Sequence, residues 1–116
     1  MIPKELVAAS TRPLLLSLLA EGESYGYALI ERVRELSHEG MEWTEGMLYP
    51  VLHRLEEEGL IESRWQEAGS GRKRKYYRLS RTGQSALHEE RKQWLTVHET
   101  LMRVWKRNLG STWSAS

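Results

Sequence analysis

A short basic segment of the chain, bounded by glycine, runs Gly69-Ser70-Gly71-Arg72-Lys73-Arg74-Lys75-Tyr76-Tyr77-Arg78-Leu79. Between Arg72 and Arg81 the sequence has six cations and no carboxylate, although the formal net charge of all 116 residues is only +1. Such a local concentration of cations indicates a surface that binds a polyanion. The expected phosphate contacts are Arg72, Lys73, Arg74 and Lys75. A solvated basic loop is the alternative interpretation.

The glycine-rich tip joins two segments with the alternation of β-strands. Residues 60–66 place Ile61, Ser63 and Trp65 on one side, and residues 75–79 form the second strand. Tyr76 and Tyr77 are neighbours in that strand and must point to opposite faces. One of them is therefore expected in the core and the other outside it, in a hairpin that carries the cations at its tip.

Three amphipathic segments before the hairpin predict helices over residues 3–21, 24–37 and 44–58. Ser24 and Thr44 are the expected N-caps, and Gly59 is expected to end the third helix. Pro13 is expected to kink the first helix or to restart it. Three helices followed by a two-stranded hairpin are the elements of a winged helix-turn-helix domain, whose third helix fits the major groove of DNA.

A fourth helix is expected over residues 84–108, with an apolar stripe that approximates a seven-residue repeat and is interrupted by Glu90. The expected dimer contacts are Leu87, Trp94, Val97, Leu101, Val104 and Trp105. The apolar faces of a small winged domain are already buried in its own core, so the domain cannot cover so long a stripe. A homodimer through this helix is therefore predicted. Packing of the helix back onto the first helix of the same chain is the alternative.

These elements predict a mainly α protein with a small β-hairpin, in the α+β class. The expected parts are a winged helix-turn-helix domain over residues 1–81, a dimerisation helix over 82–109 and a disordered tail over 110–116. Apolar runs are too short to cross a bilayer and no signal peptide is recognisable, so a cytoplasmic location is expected. The sequence has no cysteine, its four histidines lack metalloprotease spacing, and it has no catalytic motif. We expect no metal, no cofactor and no enzymatic activity.

One side of the third helix is expected to pack against the core, and the opposite side to face a groove of DNA. The core side carries Leu48, Val51, Leu52 and Leu55, and the candidates for DNA contact are Thr44, Glu45, Met47, Tyr49 and His53. The Tyr49 hydroxyl either donates to a phosphate or lies in water at the helix edge. Thr44 is first of all an N-cap, to which a phosphate contact would be an addition. Glu45 can accept from a cytosine amino group but otherwise repels the DNA backbone.

Longer motifs in the chain resemble one known family. The segments concerned are Tyr25-Gly26-Tyr27-Ala28-Leu29-Ile30, Leu48-Tyr49-Pro50-Val51-Leu52-His53-Arg54-Leu55-Glu56-Glu57-Glu58-Gly59-Leu60-Ile61 and Arg74-Lys75-Tyr76-Tyr77-Arg78-Leu79-Ser80-Arg81-Thr82-Gly83. They closely resemble the PadR family of bacterial transcriptional regulators. The resemblance implies that the helix over 44–58 is the recognition helix, tolerant of Pro50, and that the hairpin is the wing. A single C-terminal helix resembles the short subfamily, which implies a homodimer and often a repressor.

Trp94 matches a further feature of that subfamily. In its multidrug-sensing branch, a tryptophan on the C-terminal helix stacks planar ligands at the subunit interface. The resemblance therefore implies that Trp94 holds a planar aromatic molecule, with His98, one turn further on, lining the same space. Simple packing of Trp94 within the interface is the alternative.

The expected function is that of a sequence-specific transcriptional regulator, a ligand-responsive repressor that binds a palindromic double-stranded DNA operator as a homodimer. Two other functions stay open. The wing could bind an acidic protein surface, which would make the chain a protein-interaction module, or the chain could chiefly bind small molecules. Preference for one duplex sequence over bulk DNA distinguishes the regulator from the interaction module.

Overall fold

The computed structural model describes residues 2–111, with side chains as far as residue 108. The elements are α1 (Lys4–Glu21), β1 (Ser24–Tyr25), α2 (Gly26–Leu36), α3 (Glu45–Glu57), β2 (Ile61–Glu67), β3 (Lys73–Leu79) and α4 (Arg81–Ser111). The three strands form one antiparallel sheet in the order β1-β3-β2. The described residues therefore form a mainly helical winged helix-turn-helix fold with a long C-terminal helix, which confirms the predicted fold class.

The recognition helix α3 begins and ends at the residues that the sequence predicts. Thr44 is the N-cap, and its hydroxyl oxygen accepts a hydrogen bond from the Met47 amide at 3.2 Å. The chain turns away at Gly59, whose φ of +78° lies in the left-handed region that favours glycine. α3 runs unbroken through Pro50, and α1 is likewise one helix through Pro13, so Pro13 does not restart it.

The prediction that Ser24 is the N-cap of α2 is wrong. Ser24 and Tyr25 form strand β1 and pair with Tyr77 and Tyr76 of β3. Tyr25 precedes the helix with φ −128° and ψ 165°. A strand residue and an N-cap have similar extended angles, so local sequence does not separate the two roles. The expected two-stranded hairpin is therefore part of a three-stranded sheet, and β1 joins the start of α2 to the wing.

The wing, formed by β2, β3 and the turn between them, has a longer second strand than the sequence predicts, whereas β2 has the predicted length. β3 begins at Lys73, so Lys73 and Arg74 lie in the strand and not in the tip. The turn itself contains Gly69 and Gly71 at φ +57° and +77°. Because side chains alternate along a strand, Lys73 and Lys75 point to one face of the wing and Arg74 points to the other.

The core lies where the first three helices pack on the sheet. Its fully buried side chains include Thr11, Leu15, Leu16, Leu29, Leu48, Leu52, Leu55 and Ile61. Tyr77 joins this core at 3% exposure. Tyr76 lies on the opposite face, where its ring packs edge-to-face on Tyr25 with centroids 5.3 Å apart. This confirms that the two adjacent tyrosines divide between the core and the outside.

The first three turns of α4 are packed against the winged domain. Gly83 lies so close to the Leu60 backbone carbonyl that a Cβ atom would not fit there. Leu87, one turn further, is 5% exposed and belongs to the core of the single chain. Its predicted role as a dimer contact is therefore corrected to that of a core residue, and the stripe that is open to a partner begins after it.

Glu90, the polar interruption of the stripe, is an anchor for α4. Arg12 of α1 donates a hydrogen bond to Glu90 at 2.8 Å and another to Glu58, just after α3, at 3.0 Å. The hydrogen bond to Glu90 is the largest of the causes that raise the pKa of Arg12. One guanidinium thus connects α1, the end of α3 and α4.

Beyond this anchor, all side chains from 91 to 108 are exposed. α4 starts three residues before and ends three residues after the predicted bounds, so the first two residues of the predicted tail are helical. Residues 112–116 of that tail lie outside the described residues. Among the helices of the described part, none combines the length and apolar character that spanning a membrane requires.

Candidate nucleic-acid interface

A groove of about 770 Å³ lies between the start of α2, α3 and the wing. Of the nine residues predicted to contact DNA, the six that line this groove are Glu45, Tyr49, Arg72, Lys73, Arg74 and Lys75. The recognition helix contributes the first two and the wing contributes the four cations. The structure therefore brings together groups that are more than twenty positions apart in the sequence.

Tyr49 packs across the start of α2. A Cβ atom on Gly26 would lie 2.5 Å from the Tyr49 hydroxyl oxygen and 3.0 Å from its Cζ. Gly26 is therefore the residue that leaves room for the ring in this position. The Tyr49 side chain remains 42% exposed, so it is held by its neighbours and still accessible from the groove.

The other three candidates on α3 do not line the groove. Met47 is half-buried and packs against the core, which corrects its predicted position facing DNA. Thr44 is exposed and serves as the N-cap. His53 is exposed one turn beyond Tyr49, with its Nε2 3.5 Å from Glu57. A DNA contact by Thr44 or His53 stays a prediction.

The four wing cations have different surroundings. Arg72 and Lys73 are exposed, and neither of them forms an ion pair with another side chain within residues 2–111. The Arg74 guanidinium lies 4.2 Å from the centroid of the Tyr25 ring, a cation–π distance. Lys75 is half-buried, with its Nζ 3.9 Å from Glu56 of α3. Arg72 in the turn and Lys73 at the start of β3 are therefore the wing cations most open to a polyanion.

Other basic residues of the sheet are matched by carboxylates. Arg64 donates two hydrogen bonds to Glu23, at 2.9 and 2.5 Å, and Arg78 donates to Glu62 at 3.0 Å. The hydrogen bond from Arg64 lowers the pKa of Glu23, so that carboxylate stays ionised to a lower pH than usual. Arg72 and Lys73 form no such pair within residues 2–111, although Glu67 is the cross-strand neighbour of Lys73.

The sequence did not identify four aromatic residues of the groove as site residues. Tyr25 belongs to β1, Tyr27 to the start of α2, Trp65 to β2 and Tyr77 to β3. Trp65 shares a face with buried Ile61 but lies further along the wing, where it is 64% exposed. Alternation alone predicts its face but not its exposure. Trp65 could have been recognised in the sequence as a site residue, because it is a large aromatic residue close to the basic tip.

A second cavity, of about 350 Å³, lies between α1 and α4 and has mainly apolar walls. Trp94 and His98 both line it, together with Pro13 and Leu14 of α1 and Arg91 of α4. The structure thus places the two predicted ligand contacts side by side. The predicted dimer contacts Trp94, Val97, Leu101, Val104 and Trp105 are between 38% and 52% exposed in the single chain.

The recognition helix, the wing and the basic groove define a winged helix-turn-helix protein that carries one long C-terminal helix. The family model described as the transcriptional regulator PadR-like family matches residues 15–89, from within α1 to the first third of α4. The chain belongs to the PadR family of transcriptional regulators.

Several relatives agree with this assignment. Transcriptional regulator Rv3488 of Mycobacterium tuberculosis is 39% identical over 89 residues, which are 77% of this chain and 79% of that protein. A transcriptional regulator from Clostridium thermocellum has a TM-score of 0.79 at 28% identity, over 89% of this chain and 97% of that one. Bacillus subtilis PadR in complex with operator DNA has a TM-score of 0.63 at 30% identity, over 72% of this chain and 45% of that one.

Proposed function

We infer that this chain is a sequence-specific repressor that binds a palindromic operator as a homodimer, with α3 in the major groove and the wing on the flanking DNA. The observation that carries this proposal is the groove in which Glu45 and Tyr49 of α3 lie beside the four cations of the wing. The similarity to Bacillus subtilis PadR, whose structure contains operator DNA, supports it. A basic surface next to an exposed helix suits a duplex, because phosphates position the protein and base edges give specificity.

Four of the groove residues have assigned roles in this proposal. Arg72 and Lys73 bind phosphates and release counterions, so affinity falls as salt rises. The Tyr49 hydroxyl donates to a phosphate beside the major groove. Glu45 contributes to specificity, since its carboxylate accepts from a cytosine amino group and is repelled elsewhere.

The exposed stripe of α4 supports the dimer. A row of exposed Trp, Leu and Val side chains is unfavourable in water and typical of a surface that another protein covers. In a two-fold dimer each stripe is covered by the same stripe of the partner, and the two recognition helices are then related by the symmetry of a palindrome.

The cavity beside α4 supports a second activity, the binding of a planar aromatic ligand. Trp94 lines this cavity and also belongs to the exposed stripe. A molecule stacked on Trp94 therefore changes the packing of α4 and the spacing of the two recognition helices. Such a ligand regulates DNA binding if it binds the dimer more tightly at one spacing of the recognition helices than at another. A ligand site at Trp94 supports our proposal that the chain belongs to the multidrug-sensing branch of the short PadR subfamily.

Selection from a pool of random-sequence duplexes tests the DNA-binding part. The best duplex is then compared with its scrambled sequence by gel shift at moderate salt. We expect an inverted repeat that is bound by a dimer, and weaker binding by the double variant Arg72→Gln, Lys73→Gln. The matched control, Lys92→Gln with Arg103→Gln, removes two exposed cations from α4 and should bind as wild type does. Equal, weak binding to every duplex would favour the protein-interaction module instead.

Tryptophan fluorescence tests the ligand part. An uncharged planar aromatic dye is expected to quench the emission of the wild type and to lose most of this effect with Trp94→Ala, because stacking requires the ring. The double variant Arg72→Gln, Lys73→Gln, which leaves the cavity unchanged, should retain the quenching. Quenching that persists in Trp94→Ala would contradict the assignment.

A further inference from the structure

Lys75 differs from its neighbours in the wing by having three partners in its own chain. Its Nζ lies 3.9 Å from Glu56 Oε1, 5.8 Å from the centroid of the Trp65 ring and 5.7 Å from that of Tyr77. Its side chain is 35% exposed. Arg72 and Lys73, by contrast, are exposed and without an ion-pair partner among residues 2–111.

We propose that Lys75 is a positioning residue that braces the wing on the recognition helix, and that it is not a phosphate ligand. The proposal rests on the proposed function and assigns different tasks to the wing cations. Arg72 and Lys73 bind the DNA backbone. Lys75 fixes where the wing stands relative to α3.

The position of Glu56 explains why this pair acts as a brace. Glu56 lies in the last turn of α3, and its carboxylate also accepts a hydrogen bond from the Ser63 hydroxyl of β2. One carboxylate of the recognition helix therefore contacts both strands of the wing, through Ser63 on β2 and Lys75 on β3. Loss of Lys75 leaves β3 without its charged contact to α3.

The charge of Glu56 also explains why Lys75 is unsuited to phosphate binding. To reach a phosphate, the Lys75 ammonium must leave Glu56, and that carboxylate then remains unpaired near the DNA. Such an exchange releases few counterions from the DNA, because the Glu56 carboxylate had already partly neutralised the charge of Lys75. Each true phosphate contact, in contrast, contributes about 0.9 to the slope of log affinity against log salt.

The salt dependence of binding to the selected operator distinguishes the two roles. Arg72→Gln and Lys73→Gln are each expected to reduce the slope by about 0.9. Lys75→Gln is expected to weaken binding by about threefold to fivefold, the effect of a partly exposed ion pair, with the slope unchanged. A slope reduced by about 0.9 in Lys75→Gln, or an unchanged affinity, would overturn the proposal.

Exchange of the two charges gives a rescue experiment. Lys75→Glu and Glu56→Lys each place like charges together and should weaken binding more than Lys75→Gln does. The double variant restores an ion pair between α3 and β3 and should recover most of the wild-type affinity, although β3 then carries an anion at this position. A double variant as weak as Lys75→Glu contradicts the brace, and a rescued variant should keep the salt slope of the wild type.

A measurement without DNA separates failure of the brace from failure of the proposed function. Backbone order parameters from NMR relaxation are expected to fall for residues 66–74 in Lys75→Gln and to stay unchanged in Arg72→Gln. Unchanged order parameters in Lys75→Gln would contradict the brace whatever the protein binds. Absence of any preferred duplex for the wild type would contradict the proposed function, while a fall in the order parameters would still support the brace.

Discussion

Gly26 matters to the groove because it has no side chain. A Cβ atom there would overlap the Tyr49 hydroxyl, so Gly26→Ala must displace the ring. We expect Gly26→Ala to weaken operator binding about fivefold, comparable to the loss of one hydrogen bond. Its unfolding midpoint in urea should stay near that of the wild type, because alanine favours the helix and the displaced ring lies at its surface.

The Tyr49→Leu background provides the control for this prediction. Leucine has no hydroxyl to displace, so the added methyl group at position 26 should have little further effect on affinity there. Equal losses in both backgrounds, measured by fluorescence anisotropy, would mean that Gly26 acts on DNA binding by another route.

Tyr77 makes the free energy of unfolding depend on pH in the alkaline range. Burial raises its pKa to about 12, with smaller contributions from Tyr49 and Glu56. A phenol whose pKa is about 10 when unfolded binds its proton more tightly in the folded state, so its contribution to stability is complete below pH 10 and is lost as pH rises towards 12. The free energy of unfolding should fall more steeply across this range in the wild type than in Tyr77→Phe. Parallel curves for the two proteins would contradict this.

Side-chain periodicity predicts the face of a helix or strand on which a residue lies, but not whether the core of the domain covers that face at that point. Glu45 and Tyr49 were predicted from helical spacing, and both line the groove. The same spacing placed Met47 on the outside, yet Met47 packs against the core. Trp65 was missed for the opposite reason, since β2 continues beyond the core that covers Ile61.

Among the helices and strands, the best-predicted boundaries have a local chemical cause. The Thr44 cap and the left-handed Gly59 fix the two ends of α3, and both are evident in the sequence. β1 was not predicted, because a two-residue strand is defined by its pairing with β3 and has no periodicity of its own. The interruption of the α4 stripe at Glu90 likewise has a distant cause, the guanidinium of Arg12 on α1.

The contact between Arg12 and Glu90 predicts how firmly α4 is attached. Arg12→Met should lower the free energy of unfolding by about 1–2 kcal/mol, a value reduced from that of buried charged hydrogen bonds because Arg12 is partly exposed. Urea unfolding at a fixed protein concentration measures this. The control Arg32→Met breaks an exposed ion pair with Glu21 at 3.7 Å and should change stability by less than about 0.5 kcal/mol. Equal losses in the two variants would mean that the bridge does not anchor α4.

In the whole molecule, the stripe on α4 predicts how two copies associate. Val97→Glu places a charge in the stripe and should produce a monomer, since an unpaired carboxylate in an apolar interface is strongly unfavourable. Thr96→Glu makes the same change about 200° around the helix from Trp94, and should leave the dimer intact. Sedimentation equilibrium gives the mass of each variant. A monomeric wild type, or a dimeric Val97→Glu, would contradict the proposed interface.

The fold of the molecule was more predictable than its assembly. Local signals such as Thr44, Gly59 and the basic tip mark the ends of α3 and the position of the wing. Which apolar residues of α4 face a partner depends on how much of the helix the winged domain covers, and this is why Leu87 was assigned to the dimer although it lies in the core. Packing between distant elements has no local signal in the sequence.

Hydroxyl-radical footprinting of the selected operator, with wild type beside the double variant Arg72→Gln, Lys73→Gln, addresses the function of the groove itself. We predict two protected half-sites on one face of the duplex, about one helical turn apart, with protection lost first at the flanking backbone positions in the variant. Uniform cleavage along the duplex, or a footprint that the variant reproduces in full, would contradict the conclusion that the groove between α2, α3 and the wing binds DNA.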